Sequence, residues 1–96
     1  MTRVVFDPEA EAELVAAAQF YESHSPGLGL DFIAEVRRAT RAVATYPRIG
    51  RRFSKNLHRA LVRRFPYGLL YELRADELLI VAVAHLRRRP GYWRHR

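Results

Sequence analysis

The sequence predicts an α+β domain in which a helical hairpin packs on one face of a mostly antiparallel four-stranded sheet, in the order β-α-α-β-β-β. Three observations carry this expectation. Two amphipathic helical patterns fill the first half and are parted by a compact break, His24-Ser25-Pro26-Gly27-Leu28-Gly29. Three closely linked strand patterns fill the second half, and strands so linked form an antiparallel meander. The last of them, Leu78 to Ala84, is seven apolar residues without interruption. That is the pattern of a strand covered on both faces or central in its sheet.

In chain order, Val4-Val5-Phe6 is long enough for a first strand. Asp7-Pro8-Glu9 then starts a helix: Asp as N-cap, proline at the first helical position, acids at the positive end of the dipole. Ala10, Leu14, Ala17, Ala18 and Tyr21 recur at helical spacing and form its inner stripe. Glu9, Glu11 and Glu13 fall mostly off that stripe and are expected to face solvent or a basic neighbour, with nothing to bury them. His24 is expected to be an ordinary turn residue, and the glycines of the break lack the lysine and preceding strand of a phosphate loop.

A second helix is expected from Leu30 to Tyr46, with Ile33, Val36, Val43 and Phe32 inward and Arg37, Arg38 and Arg41 elsewhere. Pro47 ends it, because the residue before a proline is pushed out of the helical region. Arg48 to Leu57 reads as a basic loop whose Phe53 and Leu57 are too apolar for free solvent, so they tuck beneath it or meet a partner. Strands are expected over Ala60 to Phe65 and Leu69 to Leu73, interrupted by Pro66-Tyr67-Gly68. The helices cover one sheet face, and the basic residues are expected on the other.

Ninety-six residues make one domain and one core. The absence of cysteine excludes a disulfide framework and thiolate metal ligands and fits a reducing cytosol. No run approaches the roughly 18 apolar residues of a membrane span, and no apolar signal core precedes the first acids. A cytoplasmic chain without membrane contact, metal or cofactor is therefore expected. Charge is sharply divided. Up to Glu35 seven acids face Arg3 alone, a net of −6; from Val36 onward sixteen Lys and Arg face three acids, a net of +13. A solvated basic surface is the plainer account; a positive field for polyanions or acidic proteins is the functional one. The final stretch concentrates it: His85, Arg87-Arg88-Arg89, then Tyr92 and Trp93.

Four segments in order, FDPEAEAEL, YPRIGRR, VRRFPYGLLYEL and VAVAHLRRRPGYW, resemble the RelE/ParE superfamily of toxins from type II toxin–antitoxin pairs, nearer to its ParE-like branch. The resemblance covers nearly the whole chain. It implies a small toxin neutralised by an antitoxin that wraps around it, acting either on DNA gyrase by binding or, in the RelE-like branch, on messenger RNA as a ribosome-dependent, metal-independent endoribonuclease. In the RelE-like nucleases an arginine stands where this chain has Gly68, and two lysines stand at places best matched by Arg59 and Leu61. Arg87 keeps a late arginine of that set, and the terminal tyrosine falls near Tyr92 or Trp93. Losing one charge-stabilising group commonly costs on the order of a hundredfold in rate.

The expectation is thus a ParE-like gyrase inhibitor that docks rather than catalyses. Its target surface comprises Arg63, Arg64, Tyr67, His85, Arg87, Arg88, Arg89, Tyr92 and Trp93, and its antitoxin contacts lie at exposed Leu28, Leu30, Phe53 and Leu57. If it is a nuclease, His85, Arg87 and Arg63 carry the chemistry, with His95 a further titrating group. A non-toxic nucleic-acid-binding module is the third reading, marked by salt-sensitive binding to free RNA or DNA.

Overall fold

The computed structural model describes residues 2–89, 91–94 and 96. The chain runs β1 (Arg3–Phe6), α1 (Pro8–His24), α2 (Leu28–Thr45), β2 (Arg51–Arg52), β3 (Leu57–Leu61), β4 (Tyr67–Leu73) and β5 (Glu77–His85). The strands form one sheet in the order β1-β5-β4-β3-β2, with β1 parallel to β5 and every other pair antiparallel. The helical hairpin and meander are as expected. The sheet gains a fifth strand, the two-residue β2, where Arg51 and Arg52 of the basic loop pair with Arg59 and His58.

Local chemistry explains the helix ends. Asp7 caps α1 by accepting from the Glu9 amide at 2.9 Å, with Pro8 at the first helical position. Glu22, near the end of α1, accepts from the Gly27 and Gly29 amides at 2.9–3.1 Å and so caps α2. Gly29 also lets the helices meet, since a Cβ there would lie 2.5 Å from the Ala18 carbonyl oxygen. His24 belongs to α1 rather than to the turn, its Nδ1 being 2.8 Å from the Phe20 carbonyl oxygen.

The main core lies between the hairpin and the sheet, with Phe32, Val36, Val43, Leu69, Tyr71, Leu78, Ile80 and Val83 fully buried. Tyr21, Phe32, Phe65 and Tyr67 close one end of it as an aromatic cluster in which Tyr21 and Phe32 each meet Phe65 and Tyr67 edge-on. Tyr71 ties the basic loop to this core: its hydroxyl accepts from the Gly50 amide at 3.0 Å and donates to the Pro47 carbonyl at 2.8 Å.

Two strands differ from expectation for identifiable reasons. β3 ends at Leu61, and Val62 to Pro66 form the turn into β4, with the Val62 amide on the Tyr67 carbonyl at 2.9 Å and Arg64 left-handed at φ 70°. Val62 and Phe65 are nonetheless buried, so their apolar pattern reports burial of a turn rather than strand pairing. β5 carries a bulge: Leu70 pairs with Ala82 but Tyr71 pairs with Ile80, leaving Val81 as the extra residue. The extra residue inverts the alternation. Leu78, Ile80 and Val83 face the helices, while Ala82 and Ala84 join Leu70 on the second face. Burial on both faces and the inverted parity together account for the unbroken apolar run.

Candidate functional site

The second face of the sheet is not simply basic. Its centre is a small apolar strip of Leu70, Ala82 and Ala84, over which Leu57, Tyr92 and Trp93 pack. The aromatic tail therefore lies against the sheet instead of projecting from it. Trp93 sits 6.1 Å from Phe53 and 5.3 Å from Tyr92, ring centre to ring centre.

Cations rim this aromatic patch. The Arg59 guanidinium stands 5.2 Å over the Phe53 ring, and that of Arg88 stands 3.9 Å over Tyr92. Between them is a shallow pocket whose walls include Phe53, Arg59, Gly68, His85, Arg88 and Trp93. Gly68 serves this arrangement directly. A Cβ there would come within 3.1–3.2 Å of Arg59 Cγ and Cδ, so the arginine stem crosses the place a side chain would occupy. The lack of a side chain at position 68 leaves room for the Arg59 stem beside the pocket.

His85 ends β5 at the pocket edge. Its Nδ1 accepts from the Arg87 amide at 3.1 Å, and its ring meets Tyr67 edge-on at 5.2 Å. Its carbonyl accepts from the Arg88 amide at 2.9 Å, which turns the chain from strand into tail. Because Tyr67 pairs with His85 and the Leu86 amide bonds the Pro66 carbonyl, the turn bearing Arg63 and Arg64 lies beside this strand end. Arg64 turns partly toward the helices, 3.6 Å from Asp31. Arg63, Arg87 and Arg89 are exposed. His95 lies outside the described residues.

Among the predicted antitoxin contacts, Leu30 is 71% exposed and Phe53 42%. Leu28 and Leu57 are half-buried, Leu28 against the main core and Leu57 under the tail, so neither is the exposed anchor expected of it. The start of α2 and the start of β3 are already covered from within at those two positions.

Sequence reasoning missed Glu13. It is no solvent-facing helix acid: its side chain is 15% exposed and takes Tyr92 Oη at 2.6 Å, Arg96 Nη1 at 2.8 Å and the Val83 amide at 3.1 Å. Burial, reinforced by the Glu13 carboxylate, pushes the Tyr92 hydroxyl pKa well above its ordinary value. The signal was present, since Ala10, Glu13, Leu14 and Ala17 share the spacing of one helix face. In the sequence Arg59 stands out only as the match for a nuclease-type lysine; its closeness to Phe53 comes from the fold and is carried by no linear pattern.

The whole is an α1-α2 hairpin on one face of a five-stranded sheet, with a cationic aromatic tail folded over the other face. A family model described as "ParE toxin of type II toxin-antitoxin system, parDE" matches residues 4–90, and the chain belongs to that family. Among solved structures, the fold is similar to a chain described as "Chromosomal ParDE TA system from P. aeruginosa", with a TM-score of 0.77, 16% identity, and coverage of 88% of this chain and 96% of that one. No curated protein matches. The chain is thus the toxin of a type II pair, and an antitoxin is its partner. Among the described residues no helix is long and apolar enough to cross a membrane.

Proposed function

We propose that this ParE toxin inhibits DNA gyrase by binding it, through the cationic, aromatic end of the sheet where β5 closes: Arg63, Arg64 and Tyr67 in and after the turn, His85, Arg87, Arg88 and Arg89 at the strand end, and Tyr92 and Trp93 on the tail. The observation that carries the reading is the way His85 is engaged. Its Nδ1 already accepts the Arg87 amide, so the neutral ring carries its proton on Nε2 and has no free lone pair for a general base. Arg59 covers Gly68, so the missing nuclease arginine has no substitute rising from that strand position. What is left is suited to docking: large aromatics packed on the sheet, with guanidiniums at their rim. Membership of the ParE family supports the same choice of target.

Purified, folded protein is expected to block supercoiling by gyrase and to accumulate cleaved plasmid. Absence of any effect at large toxin excess overturns the proposal. A second reading, the ribosome-dependent mRNA endoribonuclease, is favoured by one observation, the meeting of His85, Arg59 and Arg88 around a single pocket. Toeprinting of a translated message distinguishes it: cleavage in the ribosomal A site, abolished by H85A or R87A, replaces the gyrase reading.

The antitoxin side follows from where the exposed anchors lie. Leu30 borders a shallow apolar groove between the helices with Ala18 and Ile33, whereas Phe53 stands on the opposite side of the sheet beside Trp93. A partner that covers both has to wrap around the domain, with apolar residues for Leu30 and Phe53 and acids for the arginines.

A further inference from the structure

The outer edge of β5 outlasts its neighbour. β1 pairs only as far as Phe6 with Ile80, yet β5 continues to His85. An edge left open in this way offers unpaired amides and carbonyls to any other strand. Here one backbone amide and two side chains close it. The Asp7 amide bonds the Ile80 carbonyl at 2.9 Å, Arg96 Nη1 bonds the Val81 carbonyl at 3.1 Å, and the Val83 amide bonds Glu13 Oε1 at 3.1 Å.

The same Glu13 carboxylate holds the tail. Oε2 takes Tyr92 Oη at 2.6 Å and Arg96 Nη2 at 3.1 Å, and Arg88 Nη1 is 3.9 Å away. Arg96 is fixed a second time by Glu9 at 2.9 Å, and its side chain is 11% exposed. Hydrogen bonds to a charged, partly desolvated carboxylate are the strong kind, and this one gathers four donors from a strand, a tail tyrosine and a tail arginine.

We infer that Glu13 is a positioning residue, a clasp from the helical layer that pins the C-terminal tail across the end of β5 and so fixes Arg88, Tyr92 and Trp93 as a preformed docking surface. Without it the tail keeps the apolar strip of Leu70, Ala82 and Ala84 and the Arg96 contacts to Glu9 and the Val81 carbonyl, but Tyr92 and the Val83 amide both lose their acceptor. A tail that must be ordered on contact binds more weakly than one already in place. The docking role rests on the gyrase reading; the clasp itself does not.

Trp93 is the single tryptophan of the chain, so its fluorescence reports the tail alone. The test compares wild type, E13A and E11A, the last removing an exposed acid from the same helix. Three readouts are taken: acrylamide quenching of Trp93, amide exchange at Val83 against Leu69, and the concentration giving half-maximal gyrase inhibition. With E13A, quenching is expected to rise about twofold and Val83 exchange about tenfold while Leu69 is unchanged. The half-inhibitory concentration is expected to rise about tenfold at unchanged maximal inhibition, and E11A to leave all three in place. Unaltered Trp93 quenching and Val83 exchange in E13A overturn the clasp, as does an equal loss of inhibition in E11A. If wild type leaves gyrase untouched, the target reading fails while the first two readouts still decide the clasp. Should E13A not fold, the Y92F/R96A double variant removes the tail's half of the contact. Raised Trp93 quenching there supports the clasp, and unchanged quenching refutes it.

Discussion

At the scale of single residues, several side chains do two things at once, and those are the informative ones to change. Tyr71 fills the core and its hydroxyl satisfies both the Gly50 amide and the Pro47 carbonyl. Y71F keeps the ring and strands a buried amide, so urea unfolding is expected to show a loss of about 1–3 kcal/mol. The tyrosines also set an alkaline limit. Burial raises the hydroxyl pKa of Tyr21, Tyr67, Tyr71 and Tyr92, with Glu13 adding to the effect at Tyr92. A raised folded-state pKa favours the neutral form, so the stabilisation is complete below the unfolded value of about 10 and is lost as pH climbs beyond it. Stability measured by denaturant is therefore expected to fall steadily above about pH 10, and less steeply in Y92F, where one of these groups is gone.

At the scale of elements, much of the fold was legible. Asp7-Pro8 marked the start of α1, Pro47 followed the end of α2 closely, and the run from Leu78 marked β5, because caps, prolines and apolar periods are local signals. β3 was misplaced by Val62 and Phe65, whose apolarity serves a buried turn. β2 was missed because two exposed arginines make a strand only by pairing with Arg59 and His58. The bulge at Val81 was hidden inside a uniformly apolar run that has no alternation to break. Glu13 was misread because its partners lie some seventy residues away in the sequence. The helix crossing offers a direct check. G29A places a methyl group against the Ala18 carbonyl and the Glu22 side chain that caps α2. Forcing the helices apart is expected to cost about 1–3 kcal/mol, read as a lower midpoint in urea at unchanged slope.

For the whole molecule, the division of charge seen in the sequence takes a spatial form. Acids gather on α1, where Glu9 and Glu13 hold Arg96, and at the hairpin turn, where Glu22 caps α2; the arginines collect on α2, on β2 and at the end of β5. Exposed cations steer an acidic partner over distances of about a Debye length, so their contribution fades with salt. Inhibition of gyrase is accordingly expected to weaken on the order of tenfold between about 50 and 200 mM salt, and to weaken less in an R87A/R89A variant that has already lost part of the field. Inhibition insensitive to salt in both proteins would assign the energy to the aromatic patch of Phe53, Tyr92 and Trp93.

The most direct test of the docking account is a titration of purified gyrase with the folded toxin, scored for cleaved plasmid, beside W93A. The account predicts cleaved DNA accumulating with wild type, and a curve displaced for W93A by about tenfold, the loss of one buried aromatic anchor. Folded wild-type protein that leaves gyrase fully active at large excess, or a W93A curve that overlays the wild type, would contradict it.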